Sequence, residues 1–159
     1  MYRNDTITAS DIEGMLQRLH QKDIWFQELR LSSGFGMEGR IDFLALNPGP
    51  STGNKATAYE IKVSRADFRR DTHKKQRGAR LFSDQFYYIA PVGVIPHDDV
   101  PDWAGLIEVE WKPVRTRGGQ DIRLVHKTII RAPKRDKEAP SWGLVCSLIR
   151  NANRHGGAL

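Results

Sequence analysis

Asp42, Glu60 and Lys62 are charged residues set inside otherwise apolar stretches. Asp42 lies in Gly39-Arg40-Ile41-Asp42-Phe43-Leu44-Ala45-Leu46, and the other two lie in Thr57-Ala58-Tyr59-Glu60-Ile61-Lys62-Val63. Both stretches are rich in β-branched, aliphatic and aromatic residues, the pattern of strands entering a core. Side chains alternate along a strand, so Glu60 and Lys62 share one face, while Tyr59, Ile61 and Val63 share the other. A carboxylate or an ammonium in such a strand is costly unless it pairs or binds something. Two carboxylates on adjacent strands can hold a hard divalent cation, Mg²⁺ or Mn²⁺, and leave coordination positions open for water and a phosphate. The metal would acidify a bound water and neutralise charge developing on the phosphate, while Lys62 would orient the water or offset the new charge. These residue types suggest metal-dependent phosphodiester hydrolysis. Glu28 is a candidate for a further carboxylate, from a strand that could lie beside that of Asp42. Glu13 is better explained as the fourth residue of a capping box that starts at Ser10.

The elements that must position these residues follow the order α-β-β-β-α-β, with a short β/α extension at the C-terminal end. A first helix is expected over Ser10–His20, with an apolar stripe of Ile12, Met15, Leu16 and Leu19. Ile24–Leu31 reads as a strand, followed by the Asp42 strand. Asn47-Pro48-Gly49-Pro50-Ser51-Thr52-Gly53-Asn54 marks a turn before the Glu60 strand. One basic helix is expected over roughly Ser64–Phe82, with Gly78 as its weak point. Gln85–Ala90 is a further strand, Leu106–Trp111 and Ile122–Ile130 form a late pair around Gly118-Gly119, and Ser141–Arg154 reads as a closing helix stopped by Gly156. All 159 residues fit one domain with a substantial core.

The basic helix carries Arg65, Arg69, Arg70, Lys74, Lys75, Arg77 and Arg80 against Asp67 and Asp71. Some of these pair at helical spacing, Asp67 and Asp71 with Arg70 and Lys74 or Lys75. The surplus, directly after the proposed metal strand, leaves Arg65, Arg69, Arg70, Lys74, Lys75 and Arg77 as candidate contacts to DNA phosphates. The whole chain is basic, with 25 Lys and Arg against 19 Asp and Glu, net +6. That balance favours a polyanionic partner. A single cysteine, Cys146, excludes an internal disulfide and a cysteine-rich zinc site, so a cytoplasmic protein is expected, and Cys146 itself is read as core. No apolar run is long enough to span a bilayer. The five histidines match no metal-binding spacing and are assigned to the surface or to turns. The four tryptophans are assigned to packing, with base stacking as the alternative for an exposed one.

The run Gly39-Arg40-Ile41-Asp42, then Glu60-Ile61-Lys62-Val63-Ser64-Arg65-Ala66-Asp67-Phe68-Arg69-Arg70-Asp71, resembles the PD-(D/E)XK nuclease superfamily. More narrowly it resembles the MmcB-like DNA-repair family, which carries a G-R-x-D strand followed by E-x-K-x-S-x-x-D-F-x-x-D. Asp84–Ala90 and Gly105–Ile107 are also similar to downstream segments of that family, so the likeness covers roughly Glu28–Glu108. It implies a restriction-endonuclease-like α/β core with a mixed central sheet flanked by helices, and metal-dependent cleavage of DNA in repair, recombination or phage DNA processing. It further implies Asp42, Glu60 and the backbone carbonyl of Ile61 as metal ligands, and Lys62 as the catalytic lysine. Cutting both strands of a duplex would call for a homodimer. The alternatives are a DNA-binding repair accessory protein on the same fold, with no catalysis, and an adaptor whose basic surface binds an acidic protein.

Overall fold

The computed structural model describes residues 6–31, 39–73 and 75–152. The protein is α/β, with helices α1 (Ala9–Leu19), α2 (Arg65–Arg69), α3 (Arg77–Leu81) and α4 (Trp142–Ala152) around one sheet. The strands are β1 (Ile24–Arg30), β2 (Arg40–Leu46), β3 (Ala56–Ile61), β4 (Gln85–Pro91), β5 (Gly105–Thr116) and β6 (Gly119–Ile130). They lie side by side in chain order. β1, β2 and β3 form an antiparallel meander, β3, β4 and β5 run parallel, and β6 returns antiparallel along β5.

The alternation expected of the strands is present, and it sorts the core into two layers. On one face Phe43, Ala45, Tyr59, Ile61 and Ile89 pack against Ile12, Met15 and Leu16 of α1. On the other, Leu44, Ala58, Phe86, Tyr88 and Leu106 pack with Trp103, Ala79 of α3 and Leu144 of α4, with Phe68 of α2 against them. Asp42, Glu60 and Lys62 share parity with Leu44 and Ala58 and belong to this second face. Burying side chains of this size stabilises the fold by about 1.5–3 kcal/mol each, so the sheet is a rigid frame for what its strand ends carry. At Gly105 a Cβ would lie 2.5 Å from Cε1 of Tyr87 and 2.6 Å from the backbone nitrogen of Ala132. Only glycine lets β5 begin beneath that ring.

Four sequence expectations are corrected. The capping box of α1 begins at Thr8, not Ser10: Asp11 N–H donates to Thr8 Oγ1 at 3.2 Å, and Thr8 N–H donates to Asp11 Oδ2 at 2.8 Å. The basic segment is two five-residue helices, not one long helix. It breaks after Arg70, whose carbonyl accepts from Lys75 Nζ at 3.2 Å, and the chain turns Asp71 inward. Gly78 is buried within α3, downstream of the break. Cys146 and Trp142 lie on the outer face of α4, Trp142 at 83% exposure. The closing helix ends at Ala152 among the described residues, and Gly156 lies outside them.

Between β6 and α4, residues 131–141 run extended along the α3–β4 turn and are pinned to it. Arg135 N–H donates to the Asp84 carbonyl, Glu138 N–H to the Leu81 carbonyl, and Lys137 Nζ reaches Asp84 Oδ2 at 2.9 Å. Among the described residues no helix is long and apolar enough to cross a membrane.

Candidate active site

β2 and β3 bring Asp42 and Glu60 together at the end of their shared ladder. The printed register pairs Phe43 with Tyr59. Beyond it, Asp42 Oδ2 accepts the Ile61 N–H at 2.9 Å, so a side chain takes the place of the next ladder bond. Lys62 N–H in turn donates to the Ile89 carbonyl of β4. Neighbouring residues in a strand bond to opposite sides, which turns the polar backbone of Ile61 toward β2 and Asp42. The site thus sits at the C-terminal end of β3, where parallel strands commonly leave a ligand crevice.

Lys62 Nζ donates to Glu60 Oε1 at 2.9 Å and lies 3.9 Å from Asp71 Oδ1. The Lys62 and Asp71 side chains are 8% and 3% exposed. Asp71 is held from two further directions, accepting from Tyr88 Oη at 2.6 Å and from Gln76 Nε2 at 2.8 Å. Tyr88 is the β4 residue in register with Glu60. The sequence reading assigned Asp71 to a surface pair with a helix cation. The structure instead uses it to close the inner side of Lys62, and Asp67 makes the surface pair, 3.8 Å from Arg70. A tyrosine in an apolar strand was the available signal for this partner, because its buried hydroxyl must be satisfied.

The electrostatics are those of crowded acids. Burial first, then the Asp42 charge, pushes Glu60 up to about 7, against the pull of Lys62. Burial also raises Asp42, although the Ile61 N–H, Lys62 and Arg40 oppose the rise. Burial would lower Lys62, but the Glu60 and Asp71 carboxylates reverse this and hold it above its ordinary range. Burial raises Glu13 as well, and the charges of Glu28 and Asp42 add to it. Glu13 is outside the capping box and faces the acidic end of the site, a placement the α1 pattern did not reveal.

Glu28 stays at the margin. Its side chain is 63% exposed and meets Arg40 at 3.6 Å, and Arg40 in turn lies 3.9 Å from Asp42. Its φ of 48° breaks the alternation of β1, so Phe26 and Leu29 both enter the same core layer. A polar groove lined by Glu13, Gln27, Glu28, Arg30, Arg40 and Asn151 adjoins this end. Of the six cations expected to meet DNA, Arg65, Arg69, Arg70, Lys75 and Arg77 are exposed, and Lys74 lies outside the described residues. Arg65 Nη2 donates to the Gly93 carbonyl at 3.2 Å. His20 is not a surface residue: its ring bridges Asp23 Oδ2 at 2.8 Å and Tyr59 Oη at 2.7 Å.

No group of three or more His, Cys, Asp or Glu residues is placed to hold a metal ion among the described residues. Asp42 and Glu60 are therefore tested as a pair. Burial raises both, and the Asp42 charge adds to the rise of Glu60. Such a pair fits an open Mg²⁺-type site, which takes one or two carboxylates and fills the rest with water and phosphate oxygens. It does not fit a closed protein cage. No family model, curated protein or solved structure matches the chain.

Proposed function

We propose that the protein is a metal-dependent deoxyribonuclease of the PD-(D/E)XK type, with a restriction-endonuclease-like core. The observation that carries this reading is the meeting of Asp42, Glu60 and Lys62 at one strand end, where the Asp42 charge works against ionisation of Glu60. A divalent cation between the two carboxylates would relieve that repulsion, acidify a water and offset charge on the scissile phosphate. Asp42 and Glu60 would hold it, with the Ile61 carbonyl as a further ligand by analogy. With Glu60 holding a cation, Lys62 would lose its nearest partner and keep Asp71 as counter-charge. Its ammonium would then be available to orient the attacking water or to meet the phosphorus oxygens. Asp71 and Tyr88 fix where that ammonium sits.

The exposed Arg65, Arg69, Arg70, Lys75 and Arg77 follow directly on this strand end and suit the backbone of a DNA substrate. A DNA-binding accessory without catalysis would share that surface but would gain nothing from a buried acid pair.

The test is cleavage of supercoiled plasmid and branched DNA with Mg²⁺ or Mn²⁺, wild type beside Glu60→Ala. Metal-dependent cutting that drops by about 10³-fold or more in the variant is expected. Folded wild type that binds DNA and cuts nothing would transfer the assignment to the accessory role.

A further inference from the structure

A second charged cluster lies beyond the Lys62 network, between α3 and the extended segment that precedes α4. A pocket there is lined by His73, Arg77, Arg80, Arg135, Asp136 and Glu138, among others. Arg80 sits over Trp103, its guanidinium carbon 4.1 Å from the ring centroid. Arg135 is fixed from the other wall, its Nε donating to the Ser83 carbonyl at 3.3 Å. Both guanidiniums are partly buried. Arg80 Nε and Arg135 Nη2 are shielded from solvent without a hydrogen-bond partner, and neither guanidinium has an ion pair among the described residues. The two are close enough to oppose each other: burial, then the Arg80 charge, lowers Arg135, and only Asp84 pulls the other way. Asp84 is already engaged by Lys137 and the Ala56 N–H. Asp136 and Glu138 are exposed in the wall.

Two half-buried guanidiniums held side by side, with donors unspent, are an unfavourable arrangement for an empty pocket. An oxyanion with several acceptor oxygens satisfies both at once, and the planar fork of arginine matches phosphate in geometry. His73 adds a donor. Its Nδ1 accepts from Trp103 Nε1 at 3.2 Å, so the neutral ring carries its proton on Nε2. Arg77 stands exposed at the same pocket. We propose that Arg80 and Arg135, with His73 and Arg77 beside them, form a binding site for one phosphate group. This site is separate from the Asp42–Glu60 pair and does not depend on whether that pair cleaves DNA.

The test titrates inorganic phosphate into the full chain in chloride buffer at constant ionic strength, read by ³¹P line broadening. Saturable binding at one site per chain, with a Kd of about 1 mM, is expected. Arg135→Gln and Arg80→Gln should each weaken it by about tenfold or more, while Arg131→Gln, an exposed arginine outside the pocket, leaves it unchanged. Two variants guard against a folding defect in either one, with circular dichroism as the check. No saturable binding by wild type, or wild-type affinity in both variants, overturns the site. A short oligonucleotide with and without a 5′-phosphate then identifies the source. Displacement of phosphate by either strand marks the bound group as part of nucleic acid, and retention marks it as a free phosphate or a small phosphate ester.

Discussion

Two clusters of buried charge flank the α2–α3 crossover, and they are balanced in different ways. At its entry, Lys62 lies between Glu60 and Asp71, and Asp71 is further tied to Tyr88 and Gln76. At its exit, Arg80 and Arg135 line one pocket with no ion pair among the described residues, and Asp84, which pulls on Arg135, is already engaged by Lys137. The first cluster is closed on its inner side and open only toward Asp42. The second is held by an aromatic ring and a carbonyl, neither of which neutralises charge. Internal pairing fixes a side chain for work on something else, whereas charge left uncompensated is itself a demand for a ligand.

The contrast breaks most easily at Asp71. Asp71→Ala strips Lys62 and Tyr88 of a buried partner and should cost about 3–5 kcal/mol in urea unfolding. Arg135→Gln, measured in phosphate-free buffer, should cost about 1 kcal/mol or less, because the lost Ser83 bond is offset by relief of repulsion. Equal costs would erase the distinction between the two clusters.

A smaller effect concerns pH. Glu60 has an ordinary value of 4.5 and stands near 7 in the folded protein, so the fold binds more protons than the unfolded chain in that window. Stability without metal should therefore fall as pH rises from about 4.5 to 7, by up to about 3 kcal/mol. Asp42, also raised by burial, adds in the same direction. Asp11 is lowered by its bonds to the Thr8 backbone and side chain, and it acts oppositely at lower pH. Thermal melts across this range, wild type beside Glu60→Gln, check the sign. A variant with an undiminished slope would remove Glu60 as its source. The smallest effect belongs to the exposed cations: Arg69→Glu with Arg70→Glu should weaken DNA binding and lower its salt slope by about 1 per lost phosphate contact.

Much of this was legible in the chain. Strand alternation placed Glu60 with Lys62 and away from Tyr59 and Ile61, as the two core layers bear out. The element order followed from the apolar patterning and the turn residues, whereas the mixed sheet was implied only by the family likeness. What stayed hidden depends on contacts distant in sequence. Nothing local marks Asp71 as buried, since i,i+4 spacing offers it lysines just as readily. Its partner Tyr88 lies a crossover away. Arg135 and Arg80 meet only because residues 131–141 are pinned to the α3–β4 turn. The likeness to a nuclease family rests on short motifs, and motifs carry the site further than they carry its surroundings.

The order of strands across the sheet matches their order along the chain. During synthesis each strand can join the edge left by its predecessor, so no later strand has to wedge between two already paired. The cost of closing long loops is confined to the two parallel steps, β3 to β4 and β4 to β5. A ribosome stalled between them would expose a bare strand edge, the kind of surface that recruits other chains. β6 ends this exposure. It adds Gln120, Asp121, Arg123 and Lys127 as exposed polar and charged residues along the last edge to form.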